Sequence, residues 1–343
     1  MPFPAPRRQV DLLGEQLAAQ GFVDDEHRHL FFQTLEYYQE LLDNVAARLS
    51  SIGYEPTARV KTTSTLVEKL RREQKIKLSR IQDVAGARIV VGRLRTQQDQ
   101  AVAEICELFT GLPREPRVID RRADPKHGYR AVHVIAYPEG VPVEVQIRTI
   151  LQDMWAQIFE NLADQWGRQI RYGGTPDLPS EPISWSLGPL DLGKVTRLQI
   201  LDFMKRLSED IDHYESAITL LASAEENLMI TMSIFKDVSE KIQDNRAGST
   251  HSAITRESYH QIRRICINFL RRCEPDKRKR CRLIRRNVPC CPEPNASDCR
   301  SVAGYTISRV EEWVANRRSS LARQEGIMEG TLAILARMVG GAV

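Results

Sequence analysis

The chain has 343 residues, 42% of them hydrophobic, and a formal net charge of +4. It is long enough for one large domain or two ordinary ones, and its apolar content excludes global disorder. The mild charge does not by itself point to nucleic acid, and no apolar run approaches the ~20 residues that span a bilayer.

The opening stretch MPFPAPRRQVDLLGEQ lacks the apolar core of a signal peptide, so the reading is a soluble, cytoplasmic protein with no membrane partner. Residues 11–52 are predicted as helix, with Leu30, Phe31, Leu35, Tyr38, Leu41, Leu42 and Val45 at three- and four-residue steps. Pro56 marks a short linker, and a second helix is predicted over Thr65 to Glu73. Ala87 to Val91 is short, apolar and β-branched, the pattern of a buried strand. Gln97 to Phe109 reads as helix, stopped by Gly111 and Pro113. Ala131 to Tyr137 and Val141 to Arg148 read as strands joined by the turn Pro138-Glu139-Gly140, and Thr149 to Gln165 returns to helical spacing.

Strands mixed with helices over 50–170 predict an α/β (α+β) domain, a mixed β-sheet flanked by helices with an antiparallel part at 131–148. Its bounds are set at 1–172. Residues 173–191, rich in Gly and Pro, read as a linker, and 192–343 as a mainly helical region. That region is expected to hold a long helix from Leu192 to about Ile242, interrupted once near Ala222, a break at 244–254, irregular chain from Pro289 to Ser301, and a last helix from Thr306 to Met338.

The third strand, Val143-Glu144-Val145-Gln146-Ile147-Arg148, has one apolar face and one face carrying Glu144, Gln146 and Arg148. A solvated outer face is the plain alternative. The preceding segment Lys126-His127-Gly128-Tyr129-Arg130-Ala131-Val132-His133 puts Tyr129 and His133 on one face, opposite Val132 and Val134. Both side chains are candidates to line a cleft with Glu144 and Gln146. Arg59, Lys61 and Lys69 cluster around a helix start, where backbone N–H groups favour phosphate. Asp83 precedes the apolar strand with Gly86 and Arg88, and paired with Glu144 it is a candidate ligand pair for one Mg2+. Several cations, two acids and one aromatic ring are the inventory of phosphoryl or pyrophosphoryl transfer.

In this order and spacing the segments RVKTTSTLVEKL (59–70), IQDVAGARIVV (81–91), KHGYRAVH (126–133), VEVQIRT (143–149) and QDMWA (152–156) resemble the RelA/SpoT alarmone synthetase family over roughly residues 25–172. The resemblance implies a nucleotidyltransferase-like synthetase domain that moves the β,γ-pyrophosphate of ATP to the 3′-hydroxyl of GDP or GTP, as in stringent-response signalling. It implies that Arg59 and Arg88 sandwich the adenine, that Lys61 and Lys69 hold the ATP phosphates, and that Thr65 stands where the family has Ser. It implies that Asp83 and Glu144 ligate magnesium, with Glu144 activating the attacking hydroxyl. Tyr129 would stack on the acceptor base, and Lys126, His133 and Gln146 would serve the acceptor or its phosphates, with Arg148 supporting the fold or a phosphate. Where the family places an acid after the Trp-Ala pair, this chain has Phe159, with Glu160 one step on. Such departures resemble a stand-alone or toxin-like branch, some members of which modify the 3′ end of tRNA or adenosine nucleotides. No His-Asp dipeptide occurs, so the family's hydrolase domain is not expected. A catalytically inactive nucleotide-binding regulator is the remaining alternative.

Residues 261–287 hold eleven Lys or Arg against Glu274 and Asp276. The stretch 263–286 is a candidate tRNA guide, against the alternative of a solvated helix. Six cysteines lie within 261–300, without the two-residue spacing of structural zinc sites. The helices around them are candidates for homo-oligomer formation or for an attached antitoxin-like module.

Overall fold

The computed structural model describes residues 3–21, 24–73, 75–187, 190–244, 250–273, 277–288 and 296–338. The chain divides into two compact units, Met1–Asp212 with Thr331–Val343 and His213–Gly330.

The first unit opens with α1 (Arg7–Gln20) and α2 (Asp25–Ser51). The single helix expected over 11–52 is therefore corrected to two. Gly21 adopts a φ of 78°, which ends α1 at low steric cost. Asp24 then restarts the chain as a cap, accepting the His27 N–H at 2.7 Å.

Five strands follow: β1 (Thr57–Val60), β2 (Ala85–Val90), β3 (Arg117–Asp120), β4 (Val132–Ala136) and β5 (Val143–Arg148). They form one sheet in the order β1-β2-β5-β4-β3, with β2 and β5 parallel and the other neighbours antiparallel. Helices α3 (Thr63–Arg72) and α4 (Arg95–Leu108) are threaded between strands. This is the mixed sheet with helices that the sequence predicts. The edge strands β1 and β3 are additions to that prediction. Each has at most half-buried side chains, so neither carries an apolar run.

Alternation along β5 decides which face is core. Val143, Val145 and Ile147 are fully buried, as are Ala85, Ala87 and Ile89 of β2 to within 2%. They pack with Phe31, Tyr38, Leu42 and Val45 of α2 and Ile105 of α4 in one cluster. Burying each such large side chain stabilises the fold by about 1.5–3 kcal/mol. The opposite face of β5 is not solvated either: Glu144 is 9% exposed and Arg148 2%. Polar groups buried to this degree must be satisfied within the protein, and that requirement builds the site.

β5 runs into α5 (Ile150–Trp166) through Thr149, whose side chain exchanges capping bonds with Gln152. The stretch 173–191 is not wholly linker. It holds β6 (Pro182–Leu187), paired antiparallel with β7 (Leu190–Thr196). The long helix consequently starts at Arg197 rather than Leu192 and runs unbroken as α6 (Arg197–Asp244).

The second unit is helical: most of α6, then α7 (Thr250–Cys273), α8 (Lys277–Asn287) and the greater part of α9 (Ala296–Met338). Its core includes Leu221, Leu228, Cys266, Phe269, Leu270, Val310 and Leu321. Phe269 meets Trp313 edge-on at 5.9 Å. Within the expected break at 244–254, residues 245–249 lie outside the described ones, and α7 is helical from Thr250. Residues 289–295 of the expected irregular segment also lie outside them, whereas 296–301 belong to α9. Among the described residues, no helix is long and apolar enough to cross a membrane.

Candidate active site

The parallel pairing of β2 with β5 sets Gly86 opposite Glu144 and Arg88 opposite Gln146. The antiparallel pairing of β4 with β5 sets His133 opposite Gln146. Side chains on the non-core face of these strands open onto a cleft of about 190 Å3 lined by Arg59, Lys61, Asp83, Arg88, Glu144, Gln146, Arg148 and Glu160. Four of these cations come from β1, β2 and β5 or their ends, so the sheet itself spaces the charge.

Asp83 sits in the turn that leads into β2. The Lys61 N–H donates to the Val84 carbonyl at 2.8 Å and ties the end of β1 to that turn. Lys61 Nζ then reaches Asp83 Oδ2 at 2.6 Å, and Lys69 Nζ, from α3, reaches Oδ1 at 2.8 Å. Burial works against a charge on Asp83, but the two ammonium groups outweigh it and hold its pKa below the ordinary 3.8.

Glu144 is supported from two sides. His133 Nδ1 lies 2.9 Å from Oε1, and Gln146 Nε2 donates to Oε2 at 2.8 Å. Burial pushes the Glu144 carboxyl up, and the charge of Asp83 adds to that. The hydrogen bonds from His133 and Gln146 win, so the carboxylate stays ionised. An ionised carboxylate only accepts, so His133 Nδ1 carries the proton. Its Nε2 lies within hydrogen-bond distance of the Tyr129 hydroxyl, 2.9 Å away.

Tyr129 is held by more than His133. Arg148 donates to its hydroxyl at 3.3 Å and lies over its ring. Burial raises the phenol pKa, keeping it a neutral donor. The turn before it uses Gly128 at φ 92°, and a Cβ there would meet the Trp155 ring at 3.0 Å. Arg148 also donates to Gln146 Oε1 at 2.8 Å and pairs with Asp153 at 3.0 Å. Asp153 additionally faces Arg88 at 3.4 Å and accepts from Gln157 at 2.5 Å.

Most of the residues singled out in the sequence thus meet: Arg59, Lys61, Asp83, Arg88, Glu144 and Gln146 line the cleft, and Lys69, His133 and Tyr129 brace its carboxylates and arginines. Thr65 and Lys126 neither line the cleft nor brace it. Thr65 is turned to its own helix start, donating to the Thr62 carbonyl at 2.9 Å. Lys126 is exposed and pairs with Asp124 at 3.0 Å. Two acids gain weight. Asp153 stood only inside the QDMWA segment, and its role follows from the burial of Arg148. Glu160 lies 3.7 Å from Arg148 and 3.9 Å from Arg59. Phe159, in the position expected for an acid, instead stacks on Trp155 at 4.8 Å and 13°. Glu160 is therefore the carboxylate that α5 presents to the cleft. Among the described residues, no cluster of three His, Cys, Asp or Glu side chains is arranged to hold a metal by itself.

Residues 58–165 match the region found in RelA / SpoT proteins. An uncharacterized protein of Mycobacterium tuberculosis is 46% identical over 122 residues, which are 35% of this chain and 44% of that protein. A guanosine-3′,5′-bis(diphosphate) 3′-pyrophosphohydrolase of Vibrio cholerae is 30% identical over 135 residues, 38% of this chain and 18% of that enzyme. The chain thus spans less than half the length of these relatives. The small alarmone synthetase 1 of Bacillus subtilis aligns in structure with a TM-score of 0.43 and 22% identity, over 59% of this chain and 99% of that one.

Proposed function

We propose that the RelA/SpoT region of this chain is an ATP-dependent pyrophosphotransferase whose acceptor is the 3′-hydroxyl of GDP or GTP. The observation that carries the reading is Glu144: a buried carboxylate kept ionised by His133 and Gln146, across the cleft from an Asp83 that is bridged to two lysines. A fixed, ionised carboxylate beside a cluster of cations suits proton removal from a hydroxyl attacking a polyphosphate.

In this reading Arg59 and Arg88 flank the adenine, and Lys61 and Lys69 take the ATP phosphates. Asp83 and Glu144 match a magnesium ion that keeps most of its ligands from phosphate and water, since that ion needs only one or two protein carboxylates. Such an ion would neutralise charge on the triphosphate. The acceptor 3′-oxygen forms a bond to Pβ, the bond from Pβ to the α,β-bridging oxygen breaks, and AMP leaves with that electron pair. Glu144 receives the hydroxyl proton. Tyr129, fixed at its hydroxyl by His133 and Arg148, offers its ring to the acceptor base, and His133 and Gln146 hold Glu144 at the required angle.

One observation favours a second acceptor. Seven Lys or Arg and no acid fall within the eleven residues of α8, a density suited to phosphate contacts along a nucleic acid. The 3′ end of tRNA is thus the alternative acceptor for the same chemistry.

Incubation with γ-labelled ATP, magnesium and either GDP, GTP or deacylated tRNA tests the proposal. Label on the guanosine nucleotide with release of AMP supports the first reading, and label on tRNA supports the second. No labelled acceptor, with ATP bound, refutes both.

A further inference from the structure

A second cleft, of about 360 Å3, lies away from the lining of the first, among the start of α1, the turn at 78–82 and the β4–β5 connection. Arg7, Arg80 and Arg114 line it together with Ser79, Gln82 and Tyr137. No acidic side chain is among the lining residues. Two acids of the adjoining segments are already engaged: Glu139 accepts from the Tyr37 hydroxyl at 2.8 Å, and Asp11 from the Ser79 N–H at 3.0 Å. Arg7 donates to the Gly140 carbonyl at 3.0 Å, and among the described residues Arg80 and Arg114 join no ion pair. The guanidinium carbon of Arg114 lies over the Tyr137 ring, 4.0 Å from its centroid. This cation–π contact restrains the guanidinium beside the cleft.

Tyr137 supplies an independent sign. It is 2% exposed, and its hydroxyl is buried with no hydrogen-bond partner. A buried hydroxyl without a partner is costly, and native proteins leave few of them. Three guanidinium groups without carboxylates carry the same message, because like charges gathered in a cleft repel unless an anion joins them.

We infer that this cleft is a binding site for a small phosphorylated molecule, its phosphate held by Arg80, Arg114 and Arg7 and by the Tyr137 hydroxyl. Arginine's fork matches phosphate oxygens two at a time, and the phenol adds a neutral donor. The cleft's size suits a mononucleotide or a sugar phosphate. The site stands whether or not the first cleft transfers pyrophosphate.

Equilibrium dialysis of the full chain with labelled inorganic phosphate and with labelled AMP, at constant ionic strength, tests it. Acetate serves as the carboxylate control. The expected result is binding that survives Arg59→Ala with Lys61→Ala, weakens about a hundredfold in Arg80→Ala with Arg114→Ala, and weakens about tenfold in Tyr137→Phe. Stronger binding of AMP than of phosphate would identify a nucleotide as the ligand class, and equal binding would identify the phosphate group alone. The inference is overturned if neither probe binds better than acetate. It is equally overturned if all binding vanishes with the Arg59 and Lys61 changes. Tyr137→Phe removes one oxygen atom only, so unchanged affinity in that variant overturns it even if the double arginine variant fails to fold.

Discussion

Arg148 touches Tyr129 in two ways: its guanidinium donates to the phenol oxygen at 3.3 Å, and the same group lies 5.2 Å from the ring centroid. A cation 2% exposed is thereby shared among an aromatic ring, the Gln146 amide and the Asp153 carboxylate. Removing it leaves the buried Asp153 with the Gln157 amide at 2.5 Å and Arg88, at 3.4 Å, as its remaining cation. Arg148→Met is expected to destabilise the first unit by about 3 kcal/mol, read as a lowered urea midpoint. A change under one tenth of that would show that the network is not holding the fold.

Glu144→Gln keeps the shape of the side chain and its contact with Gln146 but removes the proposed base. Transfer from labelled ATP is expected to fall about 10²–10⁴-fold, with ATP affinity changed much less. Tyr129→Phe separates ring from hydroxyl. It is expected to retain most acceptor affinity, whereas Tyr129→Ala loses it. Equal losses in the two variants would assign Tyr129 to bracing Arg148 and His133 rather than to stacking.

Lys61 and Lys69 share the Asp83 carboxylate. If both turn to phosphate when ATP enters, Lys61→Met should raise the ATP dissociation constant about tenfold or more, and the loss should shrink as salt is added. Titration calorimetry at two ionic strengths checks both statements.

Acid stability has a separate contributor at the sheet edge. Partial burial pushes the Asp120 carboxyl up, but the side chain and backbone of Arg122 donate to it at 2.7–3.2 Å and bring its pKa below 3.8. A carboxyl depressed in the folded state adds stability above its ordinary pKa and loses it as pH falls through the folded value. Its side chain is 39% exposed, so solvent screening limits the contribution to about 0.5 kcal/mol. Asp120→Asn should flatten the acid limb of the stability curve below pH 3.8 and leave the neutral-to-alkaline slope unchanged.

In the helical unit, burial pushes the Cys266 thiol up to about 11 and leaves it 0% exposed, whereas Cys281 is exposed. Iodoacetamide at neutral pH should modify Cys281 and spare Cys266 until the unit unfolds. Mass spectrometry of the labelled peptides reads the order directly.

The central strands were legible because β2 carries a β-branched apolar run, Ala87 to Val91, and β5 alternates β-branched with polar residues from Val143 to Arg148. β1 and β3 were hidden because edge strands need only a partner on one side, and Thr57–Val60 and Arg117–Asp120 have no buried side chain. The hairpin of β6 and β7 was masked by the prolines and glycines around it. In the site, strand alternation put Glu144, Gln146 and Arg148 on one face, but alternation says nothing of depth. That Arg148 is buried, and so requires Asp153, depends on α5 folding back beside β5, a relation between segments that local spacing does not encode. The same limit explains Phe159 and Glu160: the helix rotates Phe159 onto Trp155 and Glu160 to the cleft.

The parallel pairing of β2 with β5 carries a consequence for synthesis. Asp83 enters the sheet on β2, but its partner strand is made only after α4, β3 and β4 have been translated. A nascent chain that stops short of Val143 therefore has half a cleft and lacks Glu144, however well its N-terminal helices have formed. Long-range strand pairing of this kind is slow relative to local structure, so the assembled cleft should emerge abruptly and late, with closure of the sheet. On the proposed function, a growing polypeptide would hold no complete nucleotide cleft until the sheet closes.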